Sequence, residues 1–132
     1  HAGEDRVKTI VLVVDDNRDN VNLVREILLS HGFEVDVAYD GPGALAALEQ
    51  RRPGVILLDV MMPGMSGLEV LDRIRGNPSH AGIPVVLITA KAQDQDLLEG
   101  YRVGADYYIT KPFTPRQVLY GIGLVLGQEA SA

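Results

Sequence analysis

Short runs of Val, Ile and Leu recur along the chain, separated by longer blocks in which apolar residues fall three or four apart. Thr9 to Val14, Gly54 to Leu58, Pro84 to Thr89 and Tyr107 to Thr110 are apolar almost throughout, the pattern of parallel strands covered on both faces. A fifth run, Glu34 to Ala38, is the exception. The blocks between and after these runs predict helices over Arg18 to Ser30, Pro42 to Gln50, Leu68 to Arg75, Ala92 to Val103 and Pro115 to Leu126. Val21, Val24, Ile27 and Leu28 would line one face of the first helix, and Leu68, Leu71 and Ile74 one face of the third. Five strand-helix units in strict alternation predict a doubly wound α/β sandwich: a five-stranded parallel sheet with right-handed crossovers, in the order 2-1-3-4-5.

Local chemistry marks several helix ends. Ser66-Gly67-Leu68-Glu69 and Thr114-Pro115-Arg116-Gln117 both have the form of a capping box, the second with Pro at the first helical position. The last helix is the weakest expectation. Gly121, Gly123 and Gly127 would each cost about 1 kcal/mol relative to Ala in a helix interior, so this segment is expected to fray or to await a partner.

Composition narrows the classes of function. The chain has 132 residues, enough for one domain of ordinary size. His1-Ala2-Gly3 reads as an expression scar or the edge of an excised fragment, so residues 1–7 are set aside as scar or disordered N-terminus, 8–127 as the domain and 128–132 as a tail. Twelve basic against eighteen acidic residues give a formal charge of −6. That balance disfavours direct contact with nucleic acid or anionic lipid. The absence of cysteine removes disulfides, thiolate metal sites and cysteine nucleophiles, and suggests a cytoplasmic protein. No apolar run approaches the roughly 20 residues of a membrane span.

In open parallel sheets ligands bind beyond the carboxyl ends of the strands. Here the first run ends in Asp15-Asp16, the third in Asp59, the fourth in Thr89 and the fifth in Lys111-Pro112. The second ends at Tyr39-Asp40 on an edge strand and is given no role. Two of these carboxylates about 4 Å apart would repel by roughly 4 kcal/mol at an effective dielectric near 20, which calls for a cation. Hard oxygen donors without His or Cys favour Mg²⁺, and Mg²⁺ invites a phosphoryl group. A carboxylate can attack phosphorus itself when neighbouring cations neutralise the phosphoryl oxygens, a role suited to Lys111 and Thr89. Taken singly, each residue has a plainer reading. Asp15 and Asp16 also fit a helix cap, Asp59 a turn, and Lys111 and Thr89 ordinary surface positions. Their coincidence at the strand ends of one sheet is what favours a site. His31 and His80 have no partner in the sequence and are expected to face solvent.

The residues at these strand ends match a known family. Val11-Leu12-Val13-Val14-Asp15-Asp16-Asn17, Leu57-Leu58-Asp59-Val60-Met61-Met62-Pro63-Gly64-Met65-Ser66-Gly67, Ile88-Thr89-Ala90 and Gly104-Ala105-Asp106-Tyr107-Tyr108-Ile109-Thr110-Lys111-Pro112-Phe113 closely resemble the receiver domain of two-component response regulators, from about Lys8 to about Leu126. The resemblance implies a flavodoxin-like fold and a phosphorylation-dependent signalling switch, with no enzymatic turnover beyond self-phosphotransfer and slow autodephosphorylation. Asp59 would be the phosphoacceptor. Asp16, Asp59 and the backbone carbonyl of Met61 would ligate Mg²⁺, with Asp15 helping through water. Lys111 would contact the phosphoryl group, Thr89 would move to hydrogen-bond it, Tyr108 would be the switch aromatic, and the Lys111-Pro112 peptide would be cis, an otherwise uncommon state. A histidine kinase or phosphotransfer protein would stand upstream. A downstream protein or output domain would read the surface of the fourth helix, fifth strand and fifth helix. Met61 and Lys91 would flank the pocket and tune the phosphoryl lifetime, and a bulky Met61 suggests a phosphate that is not especially short-lived.

Rival readings share parts of this pattern. A flavin-phosphate module should open its first loop with Ser, Thr and Gly, where Asp15-Asp16 would repel the ligand. A haloacid dehalogenase-type hydrolase would carry Asp-x-Asp after the first strand. The sequence has no Gly-x-x-x-x-Gly-Lys of a P-loop. A phosphorylation-independent interaction module, or pseudo-receiver, remains the alternative on the same fold.

Overall fold

The computed structural model describes residues 8–90 and 94–127. The segments 1–7 and 128–132, Lys91 and the expected helix start at Ala92 lie outside the described residues. The chain alternates β1 (Ile10–Val14), α1 (Arg18–Ser30), β2 (Glu34–Ala38), α2 (Gly41–Gln50), β3 (Val55–Asp59), α3 (Gly67–Gly76), β4 (Val85–Thr89), α4 (Asp94–Val103), β5 (Tyr107–Thr110) and α5 (Pro115–Leu126). All strand pairs are parallel, in the order β2-β1-β3-β4-β5.

Side chains alternate across a strand, and here both faces are covered. Val11, Val13, Val55, Leu57, Val86 and Ile88 face a core completed by Val21, Val24 and Leu28 of α1 and Val118 and Ile122 of α5. Leu12, Val14, Ile56, Leu58, Val85 and Leu87 face the opposite core, built with Ala44 and Leu48 of α2 and Val70, Leu71 and Ile74 of α3. This is why β3 and β4 are buried along their whole length and show no polar alternation. β2 is an edge strand, and its Glu34 and Asp36 are both ion-paired to Arg51. That charged rail covers the edge.

Both expected capping boxes form, Ser66 with Glu69 and Thr114 with Gln117. The last helix spans the expected Pro115 to Leu126, and the correction is to its fraying: α5 runs unbroken. Its glycines are not equivalent interior defects. A Cβ on Gly121 would meet Ile109 Cδ1 and Tyr107 Cδ2 at 3.1 Å, so the bare backbone lets α5 lie close on β5. Gly127 is the left-handed C-cap at φ 76°, a position that favours glycine.

His80 is a second correction. It is 7% exposed rather than solvent-facing, with Nε2 3.8 Å from Glu49 Oε2. The connection from α3 to β4 folds over the α2–α3 groove and carries the ring inward, with its backbone N–H donating to Asn77 O. His31 is exposed. Among the described residues, no helix is long and apolar enough to cross a membrane.

Candidate functional site

Each strand of the sheet's centre delivers one polar side chain at its carboxyl end. Asp15 follows β1 directly and is held there by its own backbone N–H, which donates to Ala38 O at 3.2 Å. Asn17, not either aspartate, caps α1, accepting from the Asn20 N–H. Asp15 and Asp16 are therefore not spent on the N-cap. Asp40, beyond the edge strand β2, caps α2, its side chain accepting from the Gly43 N–H. Asp59 closes β3, and the Met61 N–H donates to its Oδ1 at 3.2 Å. The turn after Asp59 is tight: a Cβ on Gly67 would meet Asp59 O at 2.2 Å, so only glycine lets α3 begin there. Thr89 closes β4, where it is 1% exposed. Its carbonyl accepts from the Lys111 N–H at 2.7 Å, which ties the lysine to the end of β4.

The structure brings Asp15, Asp16, Asp59 and Lys111 together. One carboxylate oxygen from each aspartate lies within 4.8 Å of the others. Lys111 Nζ is 3.2 Å from Asp15 Oδ2 and 3.5 Å from Asp59 Oδ2. Asp15 and Asp59 are buried, while Asp16 is exposed, as is Met61 two residues after Asp59. Asp15 also accepts from the Asn17 N–H and the Asn20 side chain. The Lys111–Pro112 peptide is cis.

Burial, and after it the neighbouring Asp15 charge, raise the Asp59 carboxyl to about 6, against the opposing pull of Lys111 and the Met61 N–H. One ammonium does not neutralise two buried carboxylates and a third at the rim. A set of hard oxygen donors with no His or Cys, carrying surplus negative charge, fits a divalent cation of the Mg²⁺ type.

Tyr108 lies apart from this cluster. It pairs in register with Leu87, two residues before Thr89, and packs into the core on the α3 side. Thr89 and Tyr108 thus share one face of the sheet. Gly100 of α4 leaves room for the ring, since a Cβ there would meet Leu87 Cδ1 at 2.8 Å and Tyr108 Cε2 at 3.4 Å.

The fold and site together define a class: an open parallel α/β domain with an acidic, lysine-capped ligand site at the carboxyl edge of its sheet. Comparison with known proteins makes the class specific. Residues 11–122 match the family model of the response regulator receiver domain. The sensory transduction protein RegX3 of Mycolicibacterium smegmatis is 38% identical over 122 residues, covering 92% of this chain and 52% of its own. The probable transcriptional regulatory protein TcrX of Mycobacterium tuberculosis is 43% identical over 116 residues, 88% of this chain and 49% of its own. Among solved structures, the chemotaxis protein CheY4 of Vibrio cholerae superposes with TM-score 0.87 at 34% identity, over 90% of this chain and 99% of that one. The chain belongs to the response regulator receiver domain family of two-component signalling. It spans about half the length of the curated relatives it matches.

Proposed function

We propose that this domain is a switch set by phosphorylation of Asp59. The observation that carries the reading is the buried Asp59 carboxylate held 3.5 Å from Lys111 Nζ in a cluster with Asp15 and Asp16. A phosphohistidine of a sensor kinase or phosphotransfer protein is the donor. An Asp59 oxygen attacks phosphorus, the P–O bond forms as the P–N bond breaks, and the freed imidazole leaves with the bond's electron pair. Lys111 stabilises the charge on the phosphoryl oxygens, and Thr89 donates its hydroxyl to one of them. Asp16, Asp59 and the Met61 carbonyl hold Mg²⁺, supported by Asp15; bound there, the ion supplies positive charge for the transferring group.

Phosphorylation adds most of two negative charges at one buried point. Thr89 moves toward them, Tyr108 follows on the same face, and the α4–β5–α5 surface shifts between two packings that an output partner distinguishes. The domain acts in the cytoplasm, turns over no external substrate beyond its own phosphotransfer and slow dephosphorylation, and with its charge of −6 makes no direct nucleic-acid contact. Intact mass after incubation with acetyl phosphate and Mg²⁺ tests this. Gain of one phosphoryl group, abolished by Asp59→Asn and by EDTA, is expected. A folded protein that gains no mass would instead favour a phosphorylation-independent interaction module.

A further inference from the structure

The opposite end of the sheet carries a polar assembly that phosphotransfer does not use. Arg75, in the last turn of α3, makes five hydrogen bonds, equal to the N–H count of a guanidinium. Nε and Nη2 both donate to Gly104 O, at 2.9 and 2.7 Å. Nη1 donates to Ala81 O at 3.1 Å and to Ile83 O at 2.7 Å. Nη2 also meets Asp106 Oδ2 at 2.9 Å, and that same oxygen accepts from the Val85 N–H at 2.8 Å. One side chain thus ties the connection before β4 to the turn that joins α4 to β5. Gly104 suits this twice over: its φ is +119°, and a Cβ there would stand 3.0 Å from Arg75 Nε.

The turn that Arg75 holds is the one that ends α4. Among its residues whose side chains are described, only Gly100 is buried, whereas α3 buries Val70, Leu71 and Ile74. Its C-terminal end is closed by the Gly104 and Ala105 N–H groups, both donating to Gly100 O, and the Asp106 N–H donates to Val85 O. The clamp therefore holds the end of α4 farthest from Asp59, and holds it to the sheet.

We propose that Arg75 is a positioning residue that makes the C-terminal end of α4 a fixed pivot, so that phosphorylation moves the switch surface at the N-terminal end of the helix and not at the α4–β5 turn. This rests on the phosphorylation reading above. Hydrogen exchange of the full chain, with Mg²⁺ and with or without acetyl phosphate, tests it with intact mass read in parallel. In the wild type, amides of 94–98 should change their exchange by about threefold or more on phosphorylation, while those of 104–106 stay constant. In Arg75→Lys, which keeps the charge but not the fork, the phosphorylation-dependent change should spread to 104–106 with the mass gain intact. A merely structural arginine would loosen 104–106 equally in both states, leaving no phosphorylation-dependent difference there, and that result overturns the pivot. So does a wild-type response at 104–106 as large as at 94–98. If Arg75→Lys does not fold, Asp106→Asn serves as the second variant, with the same pattern expected at smaller amplitude. Absence of mass gain would sink the phosphorylation reading and the pivot with it, whereas mass gain with the wrong distribution of exchange sinks the pivot alone.

Discussion

At the carboxyl end of the sheet, Asp15 and Asp59 are buried around a single ammonium, while at the amino end one guanidinium meets three carbonyls and a carboxylate. The first arrangement has too few positive charges, and burial, with the Asp15 charge second, pushes the Asp59 carboxyl up to about 6. The second has a donor for each acceptor. The difference separates two uses of polar groups in one fold. A crowded, incompletely neutralised cluster responds to an added cation or phosphoryl group. A saturated one resists change and fixes the frame against which the response is measured.

This contrast can be broken most severely at the saturated end. Arg75→Ala takes the guanidinium from three carbonyls and leaves Asp106 Oδ2 with the Val85 N–H, and should lower unfolding free energy by about 2–3 kcal/mol in urea titration. A loss no larger than that of an ordinary surface substitution would show that the clamp carries little weight. At the crowded end the sign reverses. The Asp59 carboxyl titrates near 3.8 when unfolded and about 6 when folded, so stability present below pH 3.8 is lost as pH rises through 6. Without metal, Asp59→Asn should therefore stabilise the protein at pH 7.5, by about 1–3 kcal/mol, and give no gain at pH 3.5. Thermal melts of both proteins in EDTA at the two pH values check this.

Adding the cation sharpens the same point. Mg²⁺ at ten times its dissociation constant should stabilise the wild type by about 1.4 kcal/mol, and Asp59→Asn by much less, measured as the shift in melting temperature. The smallest effect belongs to a group outside both clusters. Ser66→Ala removes one half of the capping box that starts α3 and should cost about 1 kcal/mol without altering metal response.

Much of this organisation was legible in the sequence because it depends on local pattern. The apolar run Pro84 to Thr89 contains β4, and Thr114 to Gln117 marks the start of α5, since burial on both faces and capping leave short-range signatures. Asp15, Asp59 and Lys111 were found as strand-terminal polar residues, and the parallel topology then brings them together. Arg75 was not found. At the polar end of an amphipathic helix, beside Arg73, it looks like any solvated cation, and its acceptors are backbone groups that composition cannot reveal. Its one sequence trace is Gly104, whose need for positive φ is shared by many ordinary turns. His80 was misplaced for a related reason: it lies in a connection without periodicity, where burial depends on how the loop crosses α2 and α3.

The strand order has a further consequence, for the order of events during synthesis. β1 pairs with β2, β3 then adds to the free side of β1, β4 to β3 and β5 to β4. No strand has to be inserted between two already joined, so the sheet can grow by edge addition as the chain leaves the ribosome. The aspartates emerge early and Lys111 only after β5 is made. Along that route the acidic residues stand without their counter-charge until the last strand docks, so that completing the sheet would also complete the site.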